Sequence, residues 1–516
     1  MLKPKYLFLS ILFACLTIFV GCDLTANENI ALIEQKLKKQ FHLYEQAQDK
    51  IINQVVQKND VVTREEWETW LTPKPENAFN QEELAQLTQR QQQVIEKNRL
   101  DVISSSTLDL DMIRNDEIKL EQYCREFPKG GMLHIHPSGT RNKQTVHELL
   151  EKLNPMVNGS EIVAKANDGK LSVLYPEEID FLSNLPPKKY LDYDEQDKNR
   201  ILALFFLPDN PPTHDFKRFE AIFSINDLLD TPDKSLKLWV EEKTYIDFLK
   251  RNASQNVSYV EFTKVMWPKP SKFKRFQKLA KLLHQETGII VRWNLAFIRT
   301  LDFQKNTEWA QELISVLEDN QYPVIVGIDL LANEENTPAL ETGQNIYIPI
   351  LAANKTGKIK IHRTMHAGEL GLIHNVRDAM IMGVERVGHG VLLAQDPIAL
   401  EYAIQVKRLP IAINLYSNYR LQVNEDFSKH PFLNFLRLGL PVSLSTDDEG
   451  MLITDITNEY KIAIKSTDIT HNELKQMSYN SIKTSFADEV VKTKLLKKLD
   501  EDFATFEAKW SKLLKK

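Results

Sequence analysis

The sequence predicts an α/β fold for most of this chain: a (β/α)8 barrel preceded by a helical extension and interrupted by a cap over its mouth. Three observations lead there. Eight short apolar runs follow Phe127, longer amphipathic stretches separate them, and histidines or carboxylates stand at the ends of four of the runs. The predicted strands are Met132–His136, Ser258–Thr263, Ile289–Phe297, Val324–Leu330, Ile359–His366, Arg386–His389, Pro410–Leu415 and Val442–Thr446. Eight parallel strands alternating with helices is the count that closes a TIM barrel, whose chemistry gathers at the C-terminal strand ends. The stretch from about residue 154 to 247 is too long for a βα connection. It carries Pro208-Asp209-Asn210-Pro211-Pro212 and the aromatic stripe Phe216, Phe219, Phe223. We read it as a cap insertion, with the stripe fitting a cap or a plain core equally.

Ahead of the barrel, residues 27–125 read as helices, with Leu32, Ile33, Leu37 and Phe41 at helical spacing. Thr63 followed by Glu66 forms a capping-box signature just before Trp67, Trp70 and Leu71, which predicts a second helix start. No catalytic constellation appears in residues 22–126, and the segment reads as a structural cap or as an arm for a homodimer. The domain plan is therefore 1–21 as a targeting segment, 22–126 as the helical extension and 127–516 as the barrel with its cap.

The first residues have the pattern of an export signal. Lys3 and Lys5 precede an apolar run from Tyr6 to Val20 that is too short for a membrane span. The run ends in Phe19-Val20-Gly21-Cys22, which resembles a bacterial lipobox, although Phe19 stands where leucine is usual. Cys22 is then the lipidation site, and the protein is exported and lipid-anchored to a bacterial membrane. The alternative is ordinary cleavage near Ala26 and release as a soluble protein. Asp23 after the cysteine resembles an inner-membrane retention signal of enteric bacteria.

Composition narrows the partners. With 42% apolar residues in 516, the chain can bury a large core. Its 65 basic residues are scattered among 71 acidic ones for a net charge of -6, which is no electrostatic footprint for nucleic acid. A small-molecule substrate fits better. Three cysteines, of which Cys15 lies in the export signal, leave no disulfide framework.

The chemistry lies at the strand ends. His134 and His136 are two apart on the first strand and so share a face. His-x-His alone is a weak sign of metal binding. His366 ends the fifth strand with Glu369 three residues later, His389 ends the sixth, and Asp447-Asp448 follow the eighth. Each fragment alone could be a core histidine or a helix cap. Their joint placement at the chemical end of a barrel favours a site.

The stretches FPKGGMLHIHPSG (Phe127–Gly139), YVEF (Tyr259–Phe262), VGIDLLANE (Val326–Glu334), MHAGELG (Met365–Gly371), RVGHG (Arg386–Gly390) and SLSTDDEG (Ser443–Gly450) together resemble the adenosine deaminases of the metal-dependent amidohydrolase superfamily. Within them the chain is most similar to the extracellular, growth-factor-related branch. The resemblance implies one Zn2+ held by His134, His136, His366 and Asp447, with an open position where a water becomes acidic enough to attack C6 of a purine. It implies that His389 orients that water and takes its proton, that Glu369 protonates N1, and that Asp448 meets N7. Ammonia and an inosine-type product result. HExxH and the Cys-rich signature of the cytidine-type zinc deaminases are absent.

Three departures concern substrate binding. Pro137-Ser138 replaces a Leu-Asp type pair after the second histidine, which leaves Ser138 at the ribose. Ala332 stands where a glycine usually offers its backbone N–H to purine N3, and Glu449 replaces a common proline. His147, His284, His362, His374 and His430 read as structural or solvated. Two other functions remain open: a deaminase of a 5′-modified adenosine, another aminopurine or a pterin, and a non-catalytic extracellular binding or signalling relative. The complete ligand and proton-transfer set weighs against the second.

Overall fold

The computed structural model describes residues 30–514 apart from 73–77, 107, 168–171, 209–215, 320–321 and 336. Cys22, the export signal and most of the proline-rich stretch at 208–212 lie outside the described residues. Eight parallel strands form one sheet in sequential order: β1 (Gly130–Ile135), β2 (Val257–Val265), β3 (Ile290–Ile298), β4 (Ile325–Leu331), β5 (His362–Ala367), β6 (Arg386–His389), β7 (Ile411–Ile413) and β8 (Val442–Leu444). Every predicted run is a strand. The last two are shorter than expected, because Asn414 and residues 445–447 already turn into the active-end loops and Asp447 has φ 59°.

The seam between β8 and β1 closes through a parallel bridge pairing Ile135 with Asp447. Ser445 Oγ also accepts from Leu133 N at 2.9 Å and His134 N at 3.2 Å. One serine hydroxyl thus does the work of a ladder where β8 has ended.

Low in the barrel, a polar layer replaces hydrocarbon. Arg386 Nη2 meets Glu261 Oε2 at 2.5 Å, and both side chains are almost fully buried. Glu261 also accepts from Phe486 N at 2.6 Å and Tyr259 Oη at 2.8 Å, while the Arg386 guanidinium lies 3.9 Å from the Phe486 ring centroid. A buried ion pair stands only when its remaining valences are met, and here several are.

The N-terminal helices are part of the same core. Helix α1 (residues 30–52) buries Ile33, Leu37, Tyr44 and Ile51 in the cluster that includes the barrel's outer helices. Helix α2 (Arg64–Trp70) starts with the expected capping box of Thr63 and Glu66. Its Trp67 Nε1 donates to Asp378 Oδ1 at 3.0 Å and Arg64 Nη1 to Asp378 Oδ2 at 2.6 Å. Helix α3 (Gln81–Ser105) ties to the barrel through Asn98 Nδ2, which donates to Arg437 O at 2.6 Å. The extension therefore packs against the outside of the barrel. Among the described residues no helix is long and apolar enough to cross a membrane.

Between β1 and β2, helices α4 (Phe216–Ile225) and α5 (Lys234–Ala253) lie over the active end. Phe216, Phe219 and Phe223 line the cavity beneath them and pack with Leu370, Leu421, Met451 and Leu452. The stripe is both cap and core.

Candidate functional site

The C-terminal strand ends open into a cavity of ≈ 1000 Å³, lined among others by His136, Ser138, Ala332, His366, Glu369, His389, Asp447 and Asp448. His134 and His136, brought to one face by strand alternation, have ring centroids 5.3 Å apart. His134 lies 4.2 Å from the His366 ring and 4.7 Å from the His389 ring. His136 Nε2 stands 3.1 Å from His366 Nε2 and 3.2 Å from Asp447 Oδ1, and His134 Nε2 is 3.7 Å from the same oxygen.

This donor set suits a divalent cation. His134 Nε2 is buried without a hydrogen-bond partner among the described residues, an unusual cost for a buried imidazole. Two imidazole nitrogens face each other at 3.1 Å, where either a proton or a metal must sit between them. Three nitrogens and a carboxylate oxygen match the preferences of zinc.

The protonation pattern agrees. Burial acts against a charged His136, but the Asp448 and Asp447 carboxylates outweigh it and raise its pKa to about 9. Burial and the neighbouring imidazoles of His366 and His389 push His134 far down. Asp447 resists burial because His136 bonds to it and His389 adds attraction, so it stays ionised well below the usual range. A cation entering here displaces the His136 proton.

His389, at φ 65°, is pushed down to about 3, chiefly by burial, and so is neutral at physiological pH. Its Nδ1 lies 3.0 Å from Asn418 Nδ2 and 3.6 Å from Glu369 Oε1, and its Nε2 is 3.9 Å from Asp447 Oδ2. Asn418 is held in turn by His430 Nε2 at 3.0 Å, so the structural reading of His430 is met by a specific task. Glu369 is raised well above a normal carboxyl by burial and by the Asp447 and Glu334 charges. Asp448 is also raised, by burial and Asp447, and its Oδ1 lacks a partner among the described residues. Two carboxyls whose burial favours the protonated form, beside one held ionised, make an acid-base arrangement.

Support residues escaped the sequence reading. Asp329 Oδ1 accepts from His366 Nδ1 at 3.1 Å and from His366 N at 3.1 Å, while Oδ2 takes Thr263 Oγ1 at 3.0 Å. Ser417 Oγ donates to Asp447 Oδ2 at 2.8 Å. Glu334 accepts from Gly368 N, Glu369 N and Asn375 Nδ2 at 2.9, 3.0 and 2.7 Å, fixing the loop that presents Glu369. The available signal was a carboxylate inside an otherwise apolar strand, Asp329 in VGIDLL.

The departures also find places. Ala332 sits on the cavity wall at φ 87°, a conformation that favours glycine and costs an alanine about 1–2 kcal/mol. Glu449 is buried, accepts from Arg251 Nη2 at 3.0 Å and is raised by burial to about 7. Ser138 leaves the wall neutral, and at Gly139 a Cβ would lie 1.5 Å from Asp448 Oδ1.

A family model described as adenosine deaminase matches residues 214–502. An adenosine deaminase of Xenopus tropicalis is 31% identical over 197 residues, 38% of this chain and 53% of the relative, so the chain matches about half that relative's length. An aminodeoxyfutalosine deaminase of Streptomyces coelicolor is 25% identical over 305 residues, covering 57% of this chain and 74% of the relative. Among solved structures, an amidohydrolase from Burkholderia ambifaria with bound Zn superposes at TM-score 0.53 with 18% identity, covering 75% of this chain and 94% of the other.

Proposed function

This chain belongs to the adenosine deaminase family, and on that premise we propose that it hydrolyses the 6-amino group of an adenine nucleoside, releasing ammonia and the inosine-type product. The observation that carries the reading is the convergence of three strand-end imidazoles, His134, His136 and His389, on one ionised carboxylate, Asp447, with His366 against His136, beside Glu369 and Asp448, whose burial favours the protonated form. Relatives with this family's name act on adenosine and aminodeoxyfutalosine, which supports an aminopurine nucleoside as substrate class.

A zinc ion held by His134, His136, His366 and Asp447 would supply Lewis-acid polarisation and acidify a water at its open position. By the family resemblance His389 stands outside that set, with the Asn418 amide on its Nδ1 and its Nε2 3.9 Å from Asp447 Oδ2. Being neutral, with Nδ1 accepting from the Asn418 amide, it carries its proton on Nε2 and orients the attacking oxygen by donating to it, while the first proton of the water is released before attack. Glu369 donates its proton to N1 as the water oxygen adds to C6, which removes negative charge from the ring as it develops. Asp448 gives its proton in a hydrogen bond to N7 and so positions the base. Ala332 offers its N–H towards N3, and Ser138 faces the ribose. The C6–N bond then breaks as the C6 hydroxyl proton passes to the amine, which leaves as ammonia, and the proton released from the water restores Glu369, so water and amine exchange in balance.

We also propose export and lipid anchoring through Cys22, supported by Lys3, Lys5 and the apolar run before it. Partition of the protein into a detergent phase, lost on Cys22→Ser, is expected, and a lipid-free mature N-terminus at Asn27 would refute it. For the activity, ammonia release is to be measured on adenosine, 5′-deoxyadenosine, adenine and a pterin, before and after chelation. Chelator-sensitive release from the nucleosides is expected. Release from adenine or the pterin alone would move the function to a free base.

A further inference from the structure

The cavity has two poles. At the strand ends lie Glu369 and Asp448, both raised by burial and by the Asp447 charge, with Glu220 of the cap helix α4 adding to the repulsion. Elsewhere on the same wall the balance reverses. Arg141 donates from Nε to Thr244 Oγ1 at 3.0 Å and from Nη1 to Asn226 Oδ1 at 2.9 Å, both neutral, and it has no ion pair among the described residues. Lys264 Nζ lies 3.6 Å from Glu241 Oε1, and Arg275 holds the same carboxylate with both guanidinium nitrogens, Nη1 on Oε2 and Nη2 3.2 Å from Oε1. Three cations thus face one anion. Of the other acids on this wall, Asp227 is paired with Lys165 at 3.4 Å and Asp230 with Lys237 at 2.6 Å.

A guanidinium on a cavity wall without a counter-charge is costly unless a ligand completes it. Burial lowers Arg141 to about 10, and repulsion from Arg141 and Arg275 adds to burial in lowering Lys264. Both cations are tied to the chemical centre by short stretches of chain. Arg141 ends the loop that starts at His136 and packs through Gly139 directly on Asp448. Lys264 follows Thr263, whose hydroxyl bonds to Asp329 behind His366. Ser138, on the same cavity wall, carries no charge to repel an anion. The cavity, at ≈ 1000 Å³, is at the upper end of small-molecule sites and leaves room beyond a nucleoside.

We propose that Arg141, Lys264 and Arg275 form an anion subsite, and that the substrate is an adenine nucleoside bearing an anionic group, phosphate or carboxylate, at its 5′ end. The proposal rests on the deaminase reading above. The base lies at the acidic pole and the anion at the basic one, where the planar guanidinium accepts two oxygens in a fork and the ammonium adds a point charge.

The test is kcat/KM for adenosine, adenosine 5′-monophosphate and adenosine 5′-carboxylate on the metal-loaded full chain and on Arg141→Gln and Lys264→Gln. The wild type should prefer an anionic substrate over adenosine at least tenfold, with the preference falling as salt rises. Each variant should reduce the ratio of anionic to neutral substrate at least tenfold. If one variant does not fold, the other decides. Preference for only one of the two anions identifies the group. A wild type that favours adenosine, or ratios the variants do not move, overturns the subsite while leaving the deaminase reading intact. If no nucleoside is deaminated, calorimetric binding of inosine 5′-monophosphate against inosine takes over. Phosphate-dependent binding lost in both variants upholds the subsite, and equal binding of the two refutes it.

Discussion

Asp329→Asn isolates the charge behind His366, the imidazole proposed to hold the metal. The side chain is fully buried, and its Oδ1 accepts from Leu330 N at 2.8 Å as well as from His366 N and Nδ1. Asparagine can keep Oδ1 in that place and turn its amide nitrogen to Thr263 Oγ1, which accepts as readily as it donates. Shape and hydrogen bonds survive, and only the negative charge goes. That charge makes His366 Nε2 a better donor, and the neighbouring imidazoles in turn hold Asp329 ionised well below the usual range despite its burial. Losing such a partner weakens metal binding about 10–100-fold, or about 1.4–2.7 kcal/mol. Zinc competition against a chelating dye at fixed pH reads this directly, with unfolding of both chelated proteins as control. A zinc Kd within twofold of wild type, in a protein that still folds, would refute the assignment of His366 Nε2 as a ligand held by Asp329.

Two further substitutions test other links in the argument. Arg386→Met leaves Glu261 charged in the barrel interior and should cost about 3–5 kcal/mol in urea unfolding, with Glu261→Gln in the same chain restoring part of it; a loss under about 1 kcal/mol would mean the pair is not what closes that layer. Gly139→Ala puts a Cβ 1.5 Å from Asp448 Oδ1 and should raise KM at least about tenfold, or about 1.4 kcal/mol, with bound zinc unchanged; an unaltered KM would remove Asp448 from substrate binding.

Much of the fold is readable in the sequence because buried parallel strands are short and apolar and their partners follow in order. Arg386–His389 is recovered to the residue, and the other strands differ at the ends, where loop geometry takes over. The inward histidines were legible for a similar reason, since alternation alone puts His134 and His136 on one face. What escaped were side chains whose meaning depends on distant partners. Asp329 and His366 are 37 residues apart, Trp67 and Asp378 are 311 apart, and no periodicity links them. Arg386 and Glu261 stand inside RVGHG and YVEF, motifs quoted for their neighbours, yet their pairing becomes visible only when the barrel closes. The cationic end of the cavity was hidden for the opposite reason: Arg141, Lys264 and Arg275 look like ordinary surface residues by sequence, and only the folded barrel brings the loop after β1, the end of β2 and the helix Pro270–Thr287 to one wall.

The central claim is that Glu369 performs proton transfer at a metal centre it does not ligate. Bound zinc and steady-state ammonia release from the adenine nucleoside that the wild type turns over fastest, measured together for wild type, Glu369→Gln and His366→Ala, test it most directly. The account predicts zinc in the wild type and Glu369→Gln but not in His366→Ala, with turnover falling at least about 100-fold in Glu369→Gln and vanishing in His366→Ala. A Glu369→Gln protein that has lost its metal, or that turns over at the wild-type rate, would contradict it.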